Sequence, residues 1–371
     1  MQDLDILIIG GGIGGLTSAI ALRQRGFSVT VIERDPDWSV YGVGIIQQGN
    51  VLRAAETLGI LSGYAAAGVG FDAVAVYAPN GTMVARVPSP RLLPDYPANL
   101  GVGRRQLQKV LADSARDAGT AIRLGLTVSA IEDDGAAVQV TFSDGSTGRY
   151  DLVIGADGVY SQTRAMILPE AEQPQFTGQA VWRYNLPRPA DLDALNVYNG
   201  PTGVGLVPIS DDLMYIYVTT PEPGNPRYPR DGLAAAMRSK MAGCAPAIQA
   251  LAEQITDDDG VVYRPLEGML VEGPWHSGRV VLLGDAVHAT TPHLGQGAGM
   301  AIEDSIVLAE ELARQETVPE AFAAYRERRF ERCAYIVRSS LAICMGQLGK
   351  GPPVDNAQAT ADMFALTAQP I

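Results

Sequence analysis

The chain has 371 residues, 47% of them hydrophobic and 19% charged, with a net charge of −13, a composition that suits a folded protein and excludes wholesale disorder. That acidity, with no run of Lys or Arg, excludes a nucleic-acid partner, because clustered cations are needed to displace phosphate counterions. Three cysteines without a CxxC pair and three histidines are too few for a disulfide framework or a zinc site, so a reducing compartment and no metal are expected.

Residues 4–9 form a short apolar run of the kind that makes a buried parallel strand. Glycines follow, then a helix-compatible stretch from 14 to 25 closed by Gly26, and a β-branched strand at 28–32. This is a βαβ unit that opens a doubly wound sheet. The apolar stretch from 6 to 22 is not a signal peptide: Asp3 and Asp5 precede it, and Arg23 and Arg25 follow it rather than lead. No segment has the uninterrupted apolar length of a membrane span, and a cytoplasmic location is expected.

Helical spacing returns at 104–118, with Leu107, Val110, Leu111 and Ala115 on one face. Strands are expected at 121–124, 129–132 and 138–142, with a Ser143-Asp144-Gly145-Ser146 turn and a further strand at 151–154. Residues 176–266 differ in texture, holding most of the prolines, β-rich runs at 203–208 and 213–219, and a helical piece at 233–241. They read as a second, mostly antiparallel layer, joined by residues 71–86. A strand at 279–283 and helices at 299–314 and 319–341 return to the first domain, which is therefore discontinuous, and the last fifteen residues read as poorly ordered.

The first glycine cluster is Gly10-x-Gly12-x-x-Gly15, between a strand and a helix. Gly10 permits the tight turn, Gly12 lets the backbone approach a pyrophosphate, and Gly15 allows close helix–strand packing. The helix start, including Ile13 and Gly14, offers N–H groups to phosphate oxygens. Glu33 ends the second strand at the distance ribose recognition requires, and Arg34 beside it is a further cofactor-binding candidate.

Two later runs narrow the reading. One is Asp151-Leu-Val-Ile-Gly155-Ala156-Asp157-Gly158-Val-Tyr-Ser161-x-x-Arg164. The other is Arg279-Val-Val-Leu-Leu-Gly284-Asp285-Ala286-Val-His288, leading into Pro292-His293-Leu-Gly295-Gln296-Gly297-Ala298-Gly299. In this order and spacing, over roughly residues 4–310, the chain resembles the single-component FAD-dependent aromatic hydroxylases, the family of p-hydroxybenzoate, salicylate and 6-hydroxynicotinate hydroxylases.

The resemblance implies an α/β fold in which a Rossmann-type FAD-binding domain (1–70, 101–175 and 270–345) interleaves with a mostly antiparallel β-sheet substrate domain (71–100 and 176–269). C-terminal helices and a tail at 346–371 complete it. It implies FAD as cofactor, NADH or NADPH and O2 as co-substrates, and a small phenolic or heteroaromatic substrate that gains one oxygen. Asp285 is expected to accept from the FAD ribitol, Pro292 and the Gly295, Gly297, Ala298 and Gly299 backbone to meet the isoalloxazine, and Asp157 to lie near the pyrophosphate. Arg104 resembles the family arginine that reaches the FAD phosphates, with Arg105 facing solvent, and Gly44 belongs to the loop that runs along the flavin.

The substrate side is less sharply written. Tyr215 and Tyr217, two apart on a strand, share a face and are candidates to bind or polarise a substrate hydroxyl. Arg183 is a candidate for attracting a carboxylate or phenolate, Gln47 for facing the pocket, and His293, after Pro292, for binding or deprotonating the substrate. Half-buried sheet packing remains open for the tyrosines, an exposed strand position for Arg183 and a structural hydrogen bond for His293.

No second dinucleotide fingerprint follows Gly15, as a glutathione-reductase-type enzyme would require, and no Trp-x-Trp-x-Ile-Pro string marks a halogenase. A non-hydroxylating flavin oxidoreductase and a non-catalytic FAD-binding redox sensor stay open. The protein is expected to act as a monomer or homodimer, without nucleic acid or membrane.

Overall fold

The first apolar run places Ile6 and Ile8 on one side of a strand and Leu7 and Ile9 on the other, all buried, because alternate side chains leave opposite faces. Both faces of this strand are therefore covered. In the computed structural model, which describes residues 4–371, it is the strand Asp5–Ile9 in a six-stranded sheet. Residues 1–3 of the expected first segment lie outside the described residues.

The sheet order runs His276–Ser277, Val280–Leu282, Leu152–Gly155, Asp5–Ile9, Ser28–Glu33 and Ala121–Leu124. All pairings are parallel except that of the short His276–Ser277 edge strand. Ile6 and Ile8 pack with the helices Ile13–Arg23, Arg104–Asp117 and Gly297–Arg314. Leu7 and Ile9 pack against Val138, Val140 and Phe142 of a three-stranded antiparallel sheet. The doubly wound reading of the first domain is thus realised, and every strand end that carries a motif lies at the carboxyl edge of one parallel sheet, where ligands bind in open α/β folds.

The second sheet has seven strands, in the order Val262–Gly268, Gln175–Pro187, Leu213–Pro221, Gly203–Pro208, Leu195–Tyr198, Ala73–Tyr77 and Met83–Pro88. It is antiparallel save for one parallel pair, and residues 73–88 do join it. Trp182, Met214, Ile216 and Val218 face a cluster that includes Met237, Met241 and Ile248 from two short helices. The opposite face carries Val207, Ile209 and Tyr215, and turns toward a small antiparallel sheet made of Gly44–Gln48, Asn99–Gly103 and Gly68–Phe71. A Cβ at Gly101 would collide with the Pro208 carbonyl, so a glycine is what lets these two sheets meet.

The helix Val318–Gln347 starts at a capping box formed by Thr317 and Glu320. The tail departs from the expectation of poor order: Asn356–Ala368 is a helix. Asp355 caps it by accepting from the Ala357 and Gln358 N–H groups (3.0 and 3.1 Å). Met363 and Thr367 are buried beneath it. The sequence holds few large apolar residues there, and the helix depends on what it docks against. Among the described residues, no helix is long and apolar enough to cross a membrane.

Candidate active site

The glycine-rich turn is built from close approaches. Gly10 has φ +111°, and a Cβ on it would strike the Ala156 carbonyl of the neighbouring strand end. A Cβ on Gly15 would strike the Gly10 carbonyl, whereas one on Gly12 would meet nothing within 4 Å. Gly10 and Gly15 are thus fixed by packing, while Gly12 leaves open backbone, beside the half-buried Ile13 and Gly14 at the helix start. The Glu33 carboxylate accepts from the N–H groups of Gly11 (2.8 Å) and Asp35 (2.9 Å). Trp38 Nε1 and Gln108 Nε2 both donate to the Gly11 carbonyl at 2.8 Å. These two side chains were missed in sequence, since neither belongs to the fingerprint they hold. Arg34 is exposed.

Asp157 does its work through backbone and an arginine. It accepts from the Ser161 hydroxyl and from the Thr163 N–H and hydroxyl (both 3.0 Å), and Ser161 in turn caps the Arg164 N–H (2.8 Å). The buried Arg164 guanidinium then donates to the Ala286 carbonyl (2.9 Å) and the Val159 carbonyl (3.0 Å). The second motif is therefore bolted to the third.

Asp285 follows Gly284 (φ +63°) at the head of a four-residue helix, and among the described residues no group donates to its carboxylate. Asp285 is exposed, but the protein packed around it still raises its carboxyl pKa by desolvation, against the pull of His288 and Arg104. Arg104 shares this setting and is held down by burial, with Tyr215, Asp285 and Tyr41 as its charged or phenolic neighbours. Arg105 is exposed, as expected. The Pro292–Leu294 turn ends at Gly295 (φ +67°), and Gly297 and Ala298 form the half-buried first turn of the following helix, with Pro292 exposed and Gly299 buried.

Beneath this loop His288 Nε2 meets Asp304 Oδ2 at 2.6 Å, and Asp304 also accepts from the Gly284 N–H (3.0 Å) and Arg329 Nε (2.8 Å). Burial works against both charges. Even so, His288 and Arg329 hold the Asp304 carboxyl down to about 2, and Cys333 and Asp304 raise the His288 pKa. His288, Asp304 and Cys333 lie within reach of one another, but the Arg329 cation in their midst takes the place an ion would need.

On the seven-stranded sheet Tyr215 and Tyr217 share a face, their rings 6.3 Å apart, with Arg183 across from Tyr217. Burial raises both phenol pKa values, so both hydroxyls stay protonated near neutrality. Arg183 is pushed down to about 10, first by burial and then by the charge of Arg104, with Arg264 adding to it. Among the described residues no carboxylate pairs with Arg183. At the rim the Arg264 guanidinium lies over the Tyr41 ring, 4.2 Å from its centroid.

One expectation needs correction. Gln47 does not face the pocket: its side chain is buried, accepting from Tyr64 Oη (2.6 Å) and donating to the Ile46 carbonyl (2.8 Å). Gln48, one residue on and therefore on the other face, reaches the Leu294 carbonyl instead (3.2 Å). Gly44 is buried, and a Cβ there would collide with the Tyr215 ring, so its glycine serves the contact between sheets. His293 is hydrogen-bonded at both ring nitrogens: Nδ1 meets the Thr291 hydroxyl (3.0 Å) and Nε2 meets Gln347 Oε1 (3.1 Å). Gln347 Oε1 also accepts from Gln179, so Nε2 carries the proton and Nδ1 is the acceptor.

The open Gly12 backbone at a helix start, the Glu33 carboxylate beside it and an Asp285 carboxylate that no described group donates to fit a flavin dinucleotide. Fold and site together define a flavoprotein with a single dinucleotide fingerprint. Residues 3–340 match the FAD binding domain family, and the chain belongs to it. It is 33% identical to the aurachin C monooxygenase/isomerase of Stigmatella aurantiaca over 352 residues, covering 94% of this chain and 90% of the relative. It is 32% identical to the 3-hydroxybenzoate 6-hydroxylase of Polaromonas naphthalenivorans over 352 residues, covering 91% and 86%. Klebsiella pneumoniae HpxO, solved with FAD and uric acid, superimposes with a TM-score of 0.83 at 27% identity, over 98% of this chain and 92% of that one. The protein is an FAD-dependent flavoprotein monooxygenase that uses NAD(P)H and O2.

Proposed function

We propose that this monooxygenase hydroxylates a small phenolic or heteroaromatic ring bearing an anionic group, a carboxylate or an enolate. The observation that carries the reading is Arg183, a half-buried guanidinium without a carboxylate partner, beside two protonated phenols on one sheet face. Leaving a cation unpaired where solvent is partly excluded is costly unless a ligand completes it. The relatives add support, since 3-hydroxybenzoate carries both a carboxylate and a phenol.

Bound FAD supplies the oxygen-transfer chemistry after reduction by NAD(P)H. Arg183 takes the anion, and Tyr217, with Tyr215 behind it, donates a hydrogen bond to a ring oxygen and sets the ring's orientation. Asp285, Arg104 and the backbone of residues 295–299 would hold the flavin. The buried wall of Val207, Ile209 and Tyr215 keeps water from the reacting carbon. Buried, unpaired thiols at Cys244, Cys333 and Cys344 suit a cytoplasmic setting.

The test is aerobic NADH and NADPH oxidation by the FAD-loaded protein, with hydroxybenzoates, hydroxypyridinecarboxylates and neutral phenols compared. Stimulation by the anionic rings, with a product heavier by one oxygen, is expected. Equal stimulation by neutral phenols removes the anionic assignment. NAD(P)H oxidation indifferent to every ring moves the function to a non-hydroxylating flavin oxidoreductase.

A further inference from the structure

Gly295 closes the Pro292 turn by donating its N–H to the Pro292 carbonyl (3.0 Å), and the next helix opens at Gln296, whose carbonyl accepts from the Met300 N–H (2.9 Å), so the Gln296 side chain stands at the junction of the two. Gln296 is buried, and its amide donates to Asn50 Oδ1 (3.0 Å) and to Gln48 Oε1, while its carbonyl accepts from Asn50 Nδ2 (3.0 Å). It folds back over Gly299, where a Cβ would come within 2.7 Å of Gln296 Oε1. The glycine at 299 is therefore the space this amide occupies.

The chain of contacts runs on from there. Asn50 Nδ2 also donates to Glu303 Oε1 (2.9 Å), and Glu303 pairs with Arg329 (2.7 Å) and Arg332 (3.2 Å). Arg332 donates to the carbonyls of Gln369 (3.0 Å) and Pro370 (2.7 Å). Arg53, on the same helix as Asn50, donates to the carbonyls of Thr367 (2.9 Å), Ala368 (2.7 Å) and Gln369 (2.8 Å). Met363 of the final helix lies against Gln296 Nε2 (Sδ at 3.6 Å) and packs with Leu294. The last carbonyls of a helix attract cations, and here two arginines take them.

We infer that Gln296 is a positioning residue for the flavin-binding loop, and that the final helix, held by Arg53 and Arg332, keeps it in place. Residues 356–371 then act as a clamp on the loop through Met363, Arg53 and Arg332. Buried polar networks of this kind are satisfied as a unit, so loosening one end leaves Asn50 and Gln296 free to take other partners. The inference rests on the assignment of residues 295–299 to the flavin.

The full-length variants Arg53→Ala and Met363→Ala test it, with Arg53→Lys as the conservative partner. Three quantities are read: amide exchange of residues 292–299 with and without FAD, FAD affinity of the apoprotein by fluorescence quenching, and the flavin reduction potential. In the wild type FAD is expected to protect 292–299. In Arg53→Ala and Met363→Ala that segment exchanges faster, FAD binds about tenfold more weakly, and the potential shifts, with Arg53→Lys recovering part of the loss. If FAD protects the loop but neither variant changes its exchange or the affinity by more than about twofold, the clamp is overturned. If FAD leaves the loop unprotected in the wild type, the flavin assignment itself falls, and the clamp with it.

Discussion

Arg183 stands directly across the antiparallel ladder from Tyr217, so its guanidinium and the phenol leave the sheet on the same face. Tyr215, two residues back along the same strand, joins them there, and Arg104 lies near enough for its charge to act on Arg183. Two cations and two phenols converge where, among the described residues, Asp285 is the acidic group beside Arg104.

That relationship predicts the behaviour of Arg183→Met. Its KM for an anionic aromatic substrate rises about 100-fold, the worth of roughly 2–3 kcal/mol for a charge-assisted hydrogen bond, while FAD affinity stays unchanged. Steady-state kinetics beside a flavin titration checks it. A parallel loss of FAD binding places the arginine on the cofactor instead.

Tyr217→Phe keeps the ring that packs against Gly205 and removes only the hydroxyl. Product formed per NAD(P)H consumed is expected to fall about tenfold, with NAD(P)H oxidation retained, because a ring held off its mark lets reducing equivalents leak. The ratio of product to oxidised nicotinamide is the measurement.

Glu33→Gln leaves the carboxamide facing the Gly11 and Asp35 N–H groups, with one oxygen where two served. FAD affinity should drop about 10- to 100-fold, since one charge-assisted acceptor is lost at both the loop and the ribose. Equilibrium dialysis of the apoprotein decides it.

Gly44→Ala drives a methyl group into Tyr215 and Ile209 and is expected to destabilise the protein by about 1–3 kcal/mol. Urea unfolding of the apoprotein reads this without involving activity.

His293 carries the pH prediction. Burial pushes its imidazole down to about 4, with the Gln347 hydrogen bond opposing it. The unfolded chain, with a histidine near pKa ~6.5, takes up the proton first as the pH falls. Stability contributed by neutral His293 is therefore complete above about pH 6.5 and drains away toward pH 4. His293→Gln should flatten this part of the Tm-against-pH curve and leave kcat/KM between pH 6 and 8 without a lost ionisation. A vanished kinetic limb in that range would return His293 to the chemistry.

The dinucleotide fold was determined by the sequence alone because its demands are local. Gly10, Gly12 and Gly15 answer backbone approaches within one turn, Glu33 sits at a strand end, and Asp157 and Asp285 follow apolar runs that can only be buried parallel strands. Tyr215 and Tyr217 were equally legible, since residues two apart on a strand share a face whatever the fold. Which face that is, and which neighbours it has, depends on the partner sheet. So only the tertiary structure set Gln47 into the core and Gln48 at the loop, gave Gly44 to Tyr215, and occupied both nitrogens of His293. It likewise decided the final helix, whose own residues bury little and whose last carbonyls are met by Arg53, on a helix some 300 residues earlier, and by Arg332. Contacts at that separation leave no period in the chain, because what fixes them is the packing of one layer on another.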